Sequence, residues 1–108
     1  MSREYMPKYI RHEVWKRITS VIRDYKQLKA EYKNQTMSSR RLAEIKRKLQ
    51  AFEETYNAAA PDTRKLIRYR FWDGKLYRDI DLPMSESTMK RRVKGFVIDL
   101  GRSLGEIE

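Results

Sequence analysis

The fold of this chain is decided by residues 82–94, which read LPMSESTMKRRVK. Pro83 predicts a tight turn, because its ring presets the backbone for one. Ser85 can then accept a hydrogen bond from one of the free amides at the start of a helix. Met89 and Val93 lie on one side of that helix, since residues three and four apart are neighbours on its surface. The stretch therefore predicts a turn followed by a helix with an apolar back and a basic front.

The last helix is expected over about residues 86–104. Its inward face is apolar and consists of Met89, Val93, Phe96, Val97, Leu100 and Leu104. The other side is polar or basic near the N-terminal end, where the candidate base-contacting residues are Ser85, Glu86, Ser87, Lys90, Arg91 and Lys94. Arginine can bind guanine through two hydrogen bonds, and in a helix-turn-helix the N-terminal part of the second helix meets the bases. The alternative is a solvated basic face on a surface helix.

Two longer amphipathic helices are predicted before this one, because no glycine or proline occurs between Pro7 and Pro61. Apolar residues spaced by three and four form two stripes: Val14, Ile18, Val21, Tyr25, Leu28 and Tyr32, then Leu42, Ile45, Leu49, Phe52 and Tyr56. A polar break over residues 34–39 separates them, and Ser38 or Ser39 can cap the second helix. The pattern predicts an antiparallel hairpin. Its stripes form either an ordinary core or a dimerising seam like that of a coiled coil.

The middle of the chain predicts a short helix over residues 63–73, with Asp62 as its N-cap and Gly74 in the left-handed conformation at its end. Residues 76–81 are expected to form one or two helical turns. Three aromatic residues on these helices, Trp15, Phe71 and Trp72, belong either to the core or to a stacking platform for single-stranded nucleic acid.

The chain has 108 residues and a formal net charge of +10, with a pI of about 10.0. Residues 1–58 carry 14 Lys and Arg against 7 Asp and Glu, and residues 59–108 carry 11 against 8. This balance favours a polyanionic partner, above all nucleic acid. There is no cysteine, and His12 is the only histidine. With no converging ligands or activated nucleophile, we expect no enzyme, no metal and no cofactor.

Three segments carry a resemblance to a known family: residues 69–75 (YRFWDGK), 84–92 (MSESTMKRR) and 100–105 (LGRSLG). Together they resemble the region 4 helix-turn-helix of sigma factors and, more closely, small phage proteins of the ArpU and RinA type. Those proteins regulate phage late-gene transcription and place a helical part before such a motif. The resemblance implies that the base-contacting residues named above face DNA. The approach at residues 80–85 is about two residues shorter than the usual pattern, so we expect the first motif helix to be a single turn or shifted in register.

The sequence thus predicts an all-α protein, with a helical hairpin over residues 1–58 for oligomerisation or partner binding and a helix-turn-helix domain over 59–108. Residues expected to contact phosphates, which position a protein without reading sequence, are Arg64, Lys65, Arg68, Lys75, Tyr77 and Arg92.

The expected function is a sequence-specific regulator that binds double-stranded DNA, encoded by a phage or prophage. We expect it to act as a homodimer that also meets RNA polymerase. With no apolar run longer than three residues, no membrane partner is expected. The expected location is the cytoplasm of a bacterial host. The alternatives are a phage small terminase subunit and a helical protein-interaction module.

Overall fold

The structure, a computed structural model, describes residue 7 and residues 9–108. Its four α-helices are α1 (His12–Asn34), α2 (Ser39–Ala58), α3 (Pro61–Ile67) and α4 (Glu86–Ser103). A π turn (Arg68–Trp72) continues α3, and a 3₁₀ turn (Tyr77–Asp79) precedes α4. No strand occurs in the part of the chain that the structure describes, so the all-α prediction is confirmed. Residues 1–6 and 8 of the predicted N-terminal segment lie outside the described residues.

Helices α1 and α2 are joined by the polar break that the sequence indicates. Gln35 ends α1 in the left-handed conformation, with φ of 49°. The Ser38 side chain then accepts a hydrogen bond of 3.3 Å from the Arg41 amide, so the cap predicted at Ser38 or Ser39 is provided by Ser38. Contacts between the two helices pair early residues of one with late residues of the other, such as Tyr25 with Glu53 and Glu31 with Arg41. The two helices therefore run antiparallel.

Both apolar stripes are used for packing inside the chain. Ile18 and Ile22 of α1 join Phe52 of α2 in the main core, and Leu28 and Ile45 belong to a smaller cluster near the loop. The main core also contains the buried face of α4. The helices on either side of the predicted boundary at residue 58 consequently share one hydrophobic core.

The third helix starts two positions earlier than the sequence suggests, at Pro61 rather than at residue 63. The prediction that Asp62 caps it is wrong, because the cap position is Ala60, which makes no side-chain bond. Pro61 takes the first helical position, where its missing N–H is no loss and its restricted φ already fits a helix. Asp62 instead lies in the first turn, where a carboxylate suits the positive end of the helix dipole.

The end of this helix widens into the π turn before it stops. The Asp73 amide donates to the Arg68 carbonyl at 3.0 Å, five residues back, and the Lys75 amide donates to the Tyr69 carbonyl at 2.9 Å. Gly74 has a φ of 66°, which confirms the left-handed end predicted there. The extra residue in the turn sets the direction of Phe71 and Trp72, both of which are half-buried.

The C-terminal end of α4 is held by both helices of the pair. Arg47 of α2 donates from Nη1 to the Leu104 carbonyl at 2.8 Å, and Arg17 of α1 pairs with Glu106 at 2.7 Å. Gly101 lets Ile18 and the side chain of Ile107 approach the helix closely. These contacts fix where α4 lies on the core. None of the helices over residues 9–108 has the length and apolar character needed to cross a membrane.

Candidate nucleic-acid interface

The start of α4 is built as the sequence predicts. The Met84 amide donates to the Leu82 carbonyl at 2.7 Å, which closes the turn around Pro83. Ser85 is extended, with φ of −73° and ψ of 160°, and its hydroxyl accepts a bond of 3.2 Å from the Thr88 amide. A second contact of 3.0 Å joins the Ser85 and Thr88 hydroxyls. The Ser85 cap is therefore confirmed, and its hydroxyl is already engaged within the helix end.

The apolar side of α4 packs inward over its whole length. All six predicted residues are buried, namely Met89, Val93, Phe96, Val97, Leu100 and Leu104. The Phe96 ring meets Phe52 of α2 edge-on, with ring centroids 6.0 Å apart. This fixed inner side determines which residues of the helix face outward.

In the N-terminal half of α4, three residues lie on the side that faces away from the core. With 3.6 residues per turn, Ser87, Arg91 and Lys94 fall within about 60° of arc on the outer side. Ser87 and Arg91 are exposed and Lys94 is half-buried. We call these three residues the outer face of α4. Glu86, also exposed, lies in the first turn.

Two other cations in the N-terminal half of α4 lie on its flanks. Lys90 places its Nζ 5.8 Å from the centre of the Tyr77 ring. Arg92 lies on the opposite flank, where its Nη1 donates to the Thr63 hydroxyl of α3 at 3.5 Å. The structure thus places Lys90 near the 3₁₀ turn and Arg92 near α3.

The sequence predicts one or two helical turns over residues 76–81, between the π turn and α4. Only the 3₁₀ turn is helical there, and Ile80 behind it is buried. Tyr77, expected to contact phosphate, is not on the surface, since its side chain is only 7% exposed and belongs to the main core. Its ring instead supports Lys90 and Arg70, whose guanidinium lies 4.2 Å from its centre.

The remaining candidate phosphate contacts are distributed over two parts of the chain. Lys65 and Arg68 are exposed and Arg64 is half-buried, all within or just after α3. Lys75 is exposed in the loop after the π turn, with its Nζ 4.5 Å from the centre of the Tyr69 ring. Helix α3 adjoins the flank of α4 that carries Arg92, because Arg92 bonds to Thr63.

The aromatic residues considered for a stacking platform are engaged inside the chain. Trp15 is 5% exposed in the core. Trp72 donates from its indole nitrogen to the Ile22 carbonyl at 2.8 Å, and its ring stacks near Tyr25 and Tyr56, with centroids 6.1 and 6.3 Å away. These contacts hold the π turn against α1 and α2, which is the core alternative of the two that the sequence leaves open.

Beside Trp72, the Tyr25 hydroxyl donates to the Glu53 carboxylate at 2.5 Å. Burial of the hydroxyl, together with this hydrogen bond, raises the pKa of Tyr25 to about 12. The pair links α1 to α2 with a neutral phenol, so its contribution depends on the tyrosine staying protonated.

Sequence reasoning missed the cations that surround the π turn. Arg23 of α1 lies 5.7 Å from the Phe71 ring centre, and Lys26 of α1 lies with its Nζ 4.8 Å from the Trp72 ring. The signal was present in the run of aromatic residues at 69–77, but only the packing of α1 against the π turn shows which cations reach them.

Within the described residues, His, Cys, Asp and Glu side chains form no group of three or more that could hold a metal ion.

A search of known protein families finds no match for this chain, and searches of curated proteins and of solved structures find none either.

Proposed function

We propose that this protein is a sequence-specific regulator of transcription that binds double-stranded DNA and inserts the N-terminal half of α4 into the major groove. The observation that carries the proposal is the outer face of α4, which sets Ser87, Arg91 and Lys94 opposite a fully buried side. A helix supported in this way projects its side chains at a fixed angle, which base recognition requires.

The charge of the chain supports the same conclusion. A net charge of +10 gives general attraction to a polyanion. The cations beside the outer face, Lys90 and Arg92, lie on opposite flanks of α4. Such flanking cations are suited to the two phosphate strands that border a groove, while Arg91 between them is suited to a base edge.

The phage or prophage origin, and control of late genes, rest on the resemblance to the ArpU and RinA type that the sequence carries. Within this proposal the chain acts as two copies on two half-sites, and it contacts RNA polymerase through residues outside α4. Among the described residues, Tyr9 and Leu76 are the large apolar side chains that stand exposed. Two copies would therefore assemble on DNA through adjacent half-sites rather than through an apolar seam.

Selection of bound duplexes from a random DNA pool tests the proposal, since a regulator of this kind enriches a defined site. Arg91→Ala should then reduce discrimination between that site and its base-substituted versions by about 1–3 kcal/mol. The matched control is Lys46→Ala, at an exposed position of α2, and it should leave sequence preference unchanged. If Ser87→Ala, Lys90→Ala and Arg91→Ala all keep the wild-type preference, α4 is not the reading helix.

A further inference from the structure

Residues 69–77, which we call the aromatic segment, gather cations from separate parts of the chain. Within the segment, Lys75 lies over Tyr69 and Arg70 lies over Tyr77. The Arg70 guanidinium also donates to the Lys75 carbonyl at 2.6 Å. Lys90 reaches the Tyr77 ring from α4. The aromatic segment therefore contacts the helix that we propose reads DNA.

The aromatic segment also holds two cations of α1. Arg23 lies over Phe71 and Lys26 lies over Trp72, at 5.7 and 4.8 Å from the ring centres. Both side chains are exposed. Since Trp72 is tied to the α1 backbone by its bond to the Ile22 carbonyl, the position of these two cations relative to the π turn is set by the fold.

A cation that rests on a ring face is suited to bind phosphate. The electrostatic attraction of the ring holds the charge in place, while the N–H donors that point away from the ring stay available for an anion. A flexible lysine or arginine must lose rotamer freedom when it binds, whereas Arg23 and Lys26 have lost part of that freedom already. The one carboxylate within the segment is Asp73.

We propose that Arg23 and Lys26 of α1 bind the phosphate backbone of the same DNA duplex that α4 reads, with the aromatic segment as the bridge between the two. The inference rests on the proposed function, and it gives α1 a direct contact with DNA in addition to its place in the core. The occupant is a duplex because its phosphate charge runs unbroken along the helix axis, and cations of both α4 and α1 rest on rings of the aromatic segment.

The test measures duplex affinity as a function of salt for the wild-type chain and for the double variant Arg23→Gln/Lys26→Gln. Each lost phosphate contact lowers the slope of log affinity against log salt by about 0.9, so we expect the slope to fall by about 1.8. Affinity should fall by the same factor for the selected site and for unrelated DNA, because phosphate contacts carry no sequence information. The double variant Arg40→Gln/Lys46→Gln removes the same charge from exposed positions of α2 and should keep the wild-type slope.

Circular dichroism of each variant verifies that it folds, and Arg23→Lys/Lys26→Arg should restore the wild-type slope because it keeps both charges. The inference is overturned if the wild-type chain binds the duplex and Arg23→Gln/Lys26→Gln has the same slope as the α2 control. It is also overturned if DNA binding is unchanged but binding to poly-L-glutamate is lost, since the surface then suits an acidic protein. A wild-type chain that binds no duplex overturns the proposed function itself.

Discussion

Replacing Gly101 of α4 with alanine should destabilise the protein, although alanine is the better helix former. A Cβ at this position would lie 2.6 Å from Cδ1 of Ile107 and 2.7 Å from Cδ1 of Ile18. Ile18 is fully buried, and a packed interior leaves little room for such a side chain to shift. The tail that carries Ile107 is also held, because the Glu106 and Ile107 amides both donate to the Gly101 carbonyl, at 2.9 and 3.2 Å.

The size of the effect follows from two opposing terms. Alanine in place of a helical glycine stabilises by about 1 kcal/mol, whereas forcing an extra methyl group into a packed core costs about 1–3 kcal/mol. The net loss for Gly101→Ala is therefore about 1 kcal/mol, with a range of roughly 0–2. For a domain of this size, a loss of 1 kcal/mol lowers Tm by about 4 °C.

Gly95, on the same helix, provides the matched control. A Cβ added there meets no atom within 4 Å. Gly95→Ala should therefore raise the free energy of unfolding by about 1 kcal/mol, the gain in helix propensity alone. Urea unfolding followed by circular dichroism measures both variants, and the difference between them isolates the crowding at Gly101. Adding Ile107→Ala to Gly101→Ala should recover part of the loss, because it removes one of the two clashing side chains. If Gly101→Ala stabilises as much as Gly95→Ala, the close approach of α1 and the tail to α4 is wrong.

Three further outcomes follow from single contacts. The folded state should lose stability as pH rises from about 10 to about 12, because the pKa of Tyr25 is raised from its ordinary value of 10.0 to about 12. In this range the unfolded chain has already released the Tyr25 proton while the folded chain still holds it. The stability that Tyr25 contributes is therefore fully present below pH 10 and is lost above it. Tyr25→Phe should weaken that pH dependence, and an identical profile in unfolding experiments would contradict it. Ser85→Ala and Ser38→Ala should each cost about 1 kcal/mol as lost caps, but in gel-shift assays only the change at the start of α4 should weaken DNA binding; equal binding by both variants would argue against a DNA contact there. Trp72→Phe should cost about 1 kcal/mol in urea unfolding for the lost bond to the Ile22 carbonyl, and no change would mean that this bond adds nothing to stability.

The parts of the fold that sequence predicted best are those set by local chemistry. The spacing of apolar residues gave α1, α2 and α4, because a buried helical side needs such residues every three to four positions. Ser85 could be identified as a cap, and the other cap could be narrowed to Ser38 or Ser39, since a hydroxyl beside the first free amides can accept from them. Gly74 could be placed in a left-handed turn for a similar local reason.

The parts that sequence could not predict depend on where distant residues meet. Asp62 looked like a cap, but Pro61 fits the first helical position better and moved the start of α3. Tyr77 was expected to contact phosphate, yet its side chain is buried in the core. The π turn adds one residue to a helix end, and no periodicity in a five-residue segment reveals it. The outer face of α4 follows from its periodicity, whereas the cations of α1 near it follow only from tertiary packing.

The two arginines that hold the end of α4 have a consequence for how the protein opens. Arg17 and Arg47 join that end to α1 and to α2, so α4 cannot come away from the core without breaking contacts to both helices. Amides in the last turns of α4 and in the middle of α1 should therefore exchange with solvent through the same opening event, as one cooperative unit. Native-state hydrogen exchange would then give them a common free energy of opening. A helix that opens only with the whole core presents the same rigid surface at every encounter with its partner.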